Sequence, residues 1–337
     1  MLSASKPLLA LTSLTAMAIR LPPHTPTHYA PPHRRTPPFR SITRAALSPS
    51  TTAMAVSLPP SPKKVLVPIA MGTEEMEAVI LAGVLRRAGA DVTLASVEDG
   101  LEVEASYGTR IIADKSIAAC ADQVFDLVAL PIDAGLERST EVNRVEWPFD
   151  HKPQVLIPIA NGSEEMEIIM LVDILRRANI NVVLASVDES TNIVGSQRMK
   201  IVADKCILGA SDSKYDLIII PGGPEGAELL HRSTALKKLL KEQKQASRMY
   251  GGICYSPLIL QKQGLLQDKT VTAHPSIVNQ LTCQVIERSK VVIDGNLITG
   301  KGLGTVMDFS LAIVRKFFGH GRAKGVANGM VFDYPKS

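Results

Sequence analysis

The chain has no acidic residue before Glu74, only 4% aromatic residues and four cysteines in 337 positions. It also lacks any apolar run of the roughly 18 residues that a membrane-spanning helix needs. Each shortage excludes something. Without a Lys/Arg block or interleaved aromatics there is no electrostatic case for nucleic acid, and without a long apolar run there is none for a membrane span. Cys120, Cys206, Cys254 and Cys283 show no CxxC or other metal-type spacing, and four are too few for a disulfide framework in a chain this long. Free thiols in a reducing setting, with no metal and no cofactor, are the expectation. The acid-free stretch instead holds Lys6, Arg20, Arg34, Arg35, Arg40 and Arg44 among Ser, Thr and Pro. That composition reads as an organelle transit peptide over residues 1–60, for the plastid ahead of the mitochondrion. Leu8 to Ile19 is apolar enough for a secretory signal, but a Pro/Arg/His-rich tract follows where a small-residue cleavage site belongs. Without the leader, the formal charge of +4 falls to about −2, a near-neutral body.

What is present is one segment written twice. VLVPIAMGTEEME (65–77) returns as VLIPIANGSEEME (155–167), LRRAGADVTLASV (85–97) as LRRANINVVLASV (175–187), and FDLVALP (125–131) as YDLIIIP (215–221). The offset is a constant 90 positions, the mark of a tandem repeat. Only the second copy continues, through PGGPEGAELL, GGICYSP and VTAHP. The expected organisation is therefore a leader (1–60), a truncated copy (64–131), a linker (132–153) and a complete copy (154–337). A fragment of about 67 residues with only the early strands cannot enclose an ordinary core by itself. Pairing with another chain and loose order are both open for it. No catalysis is expected there.

Within the complete copy, aliphatic runs alternate with helical spacing. Glu165 to Ala178 reads as a helix ending on Arg176 and Arg177, which suit its negative end. Asn181 to Val187, Met199 to Ala203 and Tyr215 to Pro221 read as strands, the last with no polar alternation and so buried on both faces of a parallel sheet. Ser233 to Gln245 and Pro257 to Gln263 read as helices, and Ser247 to Ile253 as a further strand. The pattern implies an α/β fold, a doubly wound, mostly parallel sheet with helices on both faces. Ligands then bind beyond the carboxyl ends of the strands, where Asn161 to Glu167, Gly222 to Ala227 and Cys254 converge.

GGICYSP holds the parts of a nucleophile elbow: strand, sharp turn, Cys254, then Ser256 as a cap and Pro257 in a first helical turn. An inert cysteine buried in a strand-to-helix turn is the competing reading. Gly222 and Gly223 are able to aim backbone N–H groups at an oxyanion, or simply make a tight turn. In GSEEME, Ser163 and the first-turn acids fit an ordinary helix start, while Glu167 is placed to hold or take a thiol proton if burial raises its pKa. His274 at a strand end is either a pocket base or a loop residue.

Taken in order, GSEEME, PGGPEGA, GGICYSP and VTAHP resemble the DJ-1/PfpI family of the class I glutamine amidotransferase-like superfamily, and LITGKGLGTVMDFSLAIV (297–314) resembles its closing segment. The tandem arrangement behind a transit-type leader resembles the plant members. The resemblance implies a flavodoxin-like three-layer α/β/α sandwich, with Cys254 as nucleophile, Glu167 as its carboxyl partner, His274 in the pocket and Gly222 and Gly223 as backbone donors. It also implies cofactor-independent glyoxalase chemistry on a small aldehyde such as methylglyoxal, with deglycase, chaperone and oxidation-sensing roles described alongside. Several positions depart from the pattern. Tyr255 stands where a small residue is usual, Gly251-Gly252 where alanines are, and Lys301 where a pocket-side arginine is. A peptidase normally relies on a histidine directly after the cysteine, which Tyr255 replaces. The expected partners are a small aldehyde and either a second copy of the chain in a homodimer or another chain associated through the incomplete copy. The competing functional reading is a non-catalytic plastid protein needed for chloroplast development, acting as chaperone, binding module or thiol sensor.

Overall fold

Branched aliphatic runs at Val65–Ile69 and Val155–Ile159 start both copies, and in the computed structural model each becomes a sheet's inner strand. The structure describes residues 61–131 and 151–334; the leader and nearly all of the expected linker lie outside them. The first copy runs β1 (Lys64–Ile69), α1 (Glu75–Arg87), β2 (Asp91–Ser96), β3 (Glu102–Glu104), β4 (Arg110–Ile112), β5 (Lys115–Ser116) and β6 (Leu127–Val128). The second repeats this as β7 (Gln154–Ile159), α2 (Glu165–Arg177), β8 (Asn181–Ser186), β9 (Asn192–Val194), β10 (Lys200–Val202), β11 (Lys205–Cys206), α3 (Ile207–Ala210) and β12 (Leu217–Ile220). It continues as α4 (Pro224–Arg232), α5 (Thr234–Gln245), β13 (Met249–Ile253), α6 (Ser256–Lys262), β14 (Thr270–Val271), β15 (Gln284–Val285), β16 (Val291–Asp294), β17 (Leu297–Gly300) and α7 (Val306–Gly329). Gly319, at φ 80°, breaks α7 into two stretches.

The complete copy is a seven-stranded sheet in the order β11-β8-β7-β12-β13-β17-β16, parallel except for β16. Leu217 to Ile220 are wholly buried, as the unbroken aliphatic run requires. One face packs on α2 and α7, the other on α3 to α6 around Ile218, Leu240, Tyr250 and Leu260. The sandwich expected from the strand-helix alternation is present. The tight turn at PGGPEGA leads into helix α4, which Pro224 opens in its first turn and which runs for nine residues.

The truncated copy does not stand alone: its core is shared with the complete copy. Its sheet, β5-β2-β1-β6, reproduces the first four strands of the larger one. Helix α1 then packs on α2, and β4 joins β10 to make a shared sheet β3-β4-β10-β9. The register pairs Ile111 with Ile201, Arg110 with Val202 and Ile112 with Lys200. Because the copies are offset by 90, Ile111 and Ile201 sit on a pseudo-two-fold axis and the flanking pairs exchange across it. The ion pairs obey the same relation: Arg87 to Glu164, and Arg177 to Glu74. So do two backbone contacts, Arg86 to the Gln197 carbonyl and Arg176 to the Tyr107 carbonyl. This is the geometry of an isologous dimer contact, formed inside one chain. One hydrophobic core runs through both copies, from Val67 and Ala82 to Ile168 and Phe309.

That contact explains the two helices' different burial. Every residue of α2 from Glu165 to Leu175 is buried, because sheet, α7 and α1 surround it. Helix α1 buries only the stripe Glu75, Ala78, Val79, Ala82 and Gly83. Each fully buried Ile or Leu contributes about 1.5–3 kcal/mol of transfer free energy, so the shared face is a large part of what holds the short copy in place. The cost of truncation shows at β6, where Leu127 is 47% and Val128 54% exposed.

Candidate functional site

Strand β13 delivers Cys254 to a sharp turn with φ 64°, a left-handed conformation that a residue with a side chain seldom adopts. The strain is held from both sides: the Cys254 N–H donates to the Gly300 carbonyl at 3.1 Å, and its carbonyl accepts from the His274 N–H at 3.0 Å. The elbow expected from GGICYSP is therefore formed, with one difference. Tyr255, not Ser256, is the N-cap of α6, and the Ser256 hydroxyl donates back to the Ile253 carbonyl at 2.8 Å. Gly251 and Gly252 do not loosen the strand. A Cβ on Gly251 would lie 1.8 Å from the Ile298 carbonyl oxygen, and one on Gly252 2.1 Å from Ser256 Oγ. Glycine is there because neighbouring atoms leave no room.

Helix α2 supplies the carboxyl group. Glu167 is fully buried, and its Oε2 accepts from the Gly222 N–H at 2.7 Å. The group also interacts with the Cys254 thiol, although its other oxygen, Oε1, makes no hydrogen bond of good geometry. Desolvation is the main cause that raises the Glu167 pKa from 4.5 to about 8, against the lowering effect of the Gly222 N–H. The carboxyl is thus neutral near pH 7. Burial first, and the adjacent Glu167 second, push the thiol of Cys254 well above its ordinary range, while the N–H groups of Gly223 and Tyr255 pull it down. Gly222 departs from its expected role: its N–H is committed to Glu167 and is not free to hold an oxyanion. Gly223, with φ 96°, and Tyr255 present the amides that face the sulfur.

These groups share one cavity of about 480 Å³, lined among others by Arg87, Glu164, Glu167, Cys254, Tyr255, His274 and Lys301. Three of the lining residues carry information that motif reading misses. Arg87 reaches in from the truncated copy and holds both oxygens of Glu164 at 2.7 Å. Its signal is the repeated LRR, which makes sense only once α1 is known to lie on α2. Glu164, and not Ser163, is the N-cap of α2, and its neighbour Glu165 is buried and accepts from Ser196 and the Gln197 N–H. Lys301 turns its ammonium outward to the Glu287 carbonyl at 2.8 Å. On the truncated copy, the counterpart cavity of about 940 Å³ keeps Glu74, Glu77 and Arg177, but Leu130, Pro131, Met330 and Val331 line it and no cysteine does. Among the described residues, no group of three His, Cys, Asp or Glu side chains is placed to hold a metal ion, and no helix is long and apolar enough to cross a membrane.

The fold and site together are a mostly parallel α/β sandwich with a strained cysteine at the end of a central strand and a buried glutamic acid beside it. The chain belongs to the DJ-1/PfpI family, whose model matches residues 63–136 and again 153–316. It is similar to protein DJ-1 homolog B of Arabidopsis thaliana, 33% identical over 390 residues that cover 81% of this chain and 89% of the relative. That span exceeds the length of the chain itself, so the relative carries long stretches with no counterpart here. A Caenorhabditis elegans protein named glutathione-independent glyoxalase DJR-1.2 is 31% identical over 168 residues, 49% of this chain and 88% of that one. Among solved structures, Drosophila melanogaster DJ-1beta matches with a TM-score of 0.54 and 32% identity, over 55% of this chain and all of that one.

Proposed function

We propose that the complete copy is a glutathione-independent glyoxalase that converts methylglyoxal or glyoxal to the corresponding hydroxy acid. The observation that carries this reading is the meeting of Cys254, a neutral Glu167 and His274 on the walls of one small cavity. The relative named as a glutathione-independent glyoxalase supports it.

The chemistry is an internal redox exchange and needs no outside electron acceptor. The Cys254 sulfur bonds to the aldehyde carbon as the C=O π bond opens, and the thiol proton, carried by Glu167, ends on the former carbonyl oxygen. The hydrogen on that carbon then leaves as a proton while the neighbouring carbonyl oxygen gains one, giving an enediol, and the neighbouring carbon next takes a proton as the hydroxyl on the first carbon gives its own up. Glu167 or His274 carries the proton from carbon to carbon. The first carbon is now a thioester and the second a carbinol. Water cleaves the thioester, releasing lactate from methylglyoxal and restoring the thiol. Neutral Glu167 suits the addition step, because it relays a proton without forming a buried charge.

A specific observation favours the competing reading, a binding or chaperone protein without turnover: burial drives the thiol well up from its ordinary pKa, which withholds the thiolate. Delivery to the plastid belongs to either reading and rests on the acid-free leader. The two are separated by incubating the full chain with methylglyoxal in the absence of glutathione and measuring lactate. Lactate above the uncatalysed rate is expected; none would leave the non-catalytic reading standing.

A further inference from the structure

Tyr255, the bulky residue after the nucleophile, is built into a hydrogen-bonded chain. Its phenol oxygen lies 2.7 Å from Ser276 Oγ, which lies 2.8 Å from His274 Nδ1. Its ring stacks on the His274 imidazole at 5.3 Å between centroids and 24° between planes. The Ser276 backbone N–H also donates to His274 Nδ1, at 3.2 Å.

The proton positions follow from the donors available. A backbone amide only donates, so Nδ1 must offer its lone pair, and the neutral imidazole carries its proton on Nε2. A lone pair on Ser276 Oγ facing that nitrogen at 2.8 Å would be repulsive, so the hydroxyl donates to Nδ1 as well. Ser276 has then spent its single proton, and the Tyr255 phenol must donate to Ser276. The chain runs in one direction, from phenol to hydroxyl to Nδ1. The opposite edge of the ring and the nucleophile both lie near Gly302: a Cβ there would sit 3.4 Å from His274 Cδ2 and 3.8 Å from Cys254 Sγ.

We infer that Tyr255 is a positioning residue which, through Ser276, holds His274 as the Nε2–H tautomer, so that the imidazole enters the cavity as a hydrogen-bond donor and not as a base. This rests on the glyoxalase reading and deepens it. The Nε2–H would stabilise the oxygen on which charge develops as the enediol forms, leaving Glu167 to carry the proton between the two carbons. Tyr255 is then a working part of this site and not an obstruction in it.

The test is long-range ¹H–¹⁵N correlation of histidine side chains in the full chain, with His274 assigned by its loss in His274→Gln, run beside kinetics. In the parent protein His274 is expected to show a pyridine-like Nδ1 and a pyrrole-like Nε2. Tyr255→Phe keeps the stacked ring and removes the donor. It should shift both nitrogens toward averaged positions and lower kcat about tenfold with KM little changed, the loss of roughly one hydrogen bond. Ser276→Ala should move the same signals in the same sense. A protonated Nδ1 in the parent protein, or unchanged signals and kcat in Tyr255→Phe, would overturn the inference. The tautomer is read without turnover, so a protein that makes no lactate but shows the expected nitrogens fails the glyoxalase reading and not this one.

Discussion

At the scale of single residues, the site depends on two acids that burial keeps protonated. The elbow was legible in GGICYSP because strand, turn and helix start each leave a local composition signal. Glu167 stood out in GSEEME, but its spacing says nothing of its burial, which comes from α1, α7 and the sheet closing around α2. Nor was the pairing of Tyr255 with Ser276 and His274 legible, since those residues meet only when the chain after β14 folds back over the elbow. The raised Glu167 pKa has a consequence for stability. The folded protein keeps a proton that the unfolded chain releases above about 4.5, so the group's stabilising effect is complete below that pH and is lost as pH rises through about 8. Relative to Glu167→Gln, the parent protein should lose a few kcal/mol between pH 5 and pH 8, visible as a Tm that falls more steeply with pH. Parallel Tm curves for the two proteins would show that Glu167 is ionised when folded.

Among the elements, the packing of α1 on α2 is symmetric in outline and unequal in detail. Arg177 lies between Glu74 and Asp173, 4.0 Å over the Tyr107 ring, and Asp173 is buried within its own helix. The matching position in α1 is Gly83, so Arg87 meets Glu164 and the Met166 sulfur without a second carboxylate. Desolvation raises the pKa of the Asp173 carboxyl to about 8 even beside the guanidinium. Removing Arg177 leaves a buried acid without its hydrogen-bond donor, whereas removing Arg87 leaves the slightly exposed Glu164. Chemical denaturation should therefore show Arg177→Ala costing about 2–3 kcal/mol and Arg87→Ala about 1 kcal/mol. Equal losses would mean that Asp173 does not depend on Arg177. The strands and helices of this layer were largely legible, since Glu165–Arg177 and Thr234–Gln245 fall within a residue of the helices that periodicity implies. The β4–β10 pairing was not, because short strands that pair across a pseudo-two-fold leave no local mark.

For the molecule as a whole, the broken repeat is a partner carried within the chain. Its sheet stops at β6, yet its helix and hairpin cover the complete copy as a second subunit would. The duplication and its truncation were plain in the sequence; the use to which the fragment is put depended on contacts between residues 69 to 111 positions apart. Because one core passes through both copies, the full chain should unfold in a single cooperative calorimetric transition, with α1 and α2 amides equally protected from exchange and β6 exchanging early. Two separated transitions would mean that the copies are independent. The claim on which the functional account turns is that this internally braced fold presents Cys254 as a nucleophile. Its most direct test is lactate formation from methylglyoxal, without glutathione, by the full chain and by Cys254→Ala with Tm measured on both. The account predicts a variant as stable as its parent that makes no lactate above the uncatalysed rate; a folded alanine variant that keeps its parent's activity would contradict it.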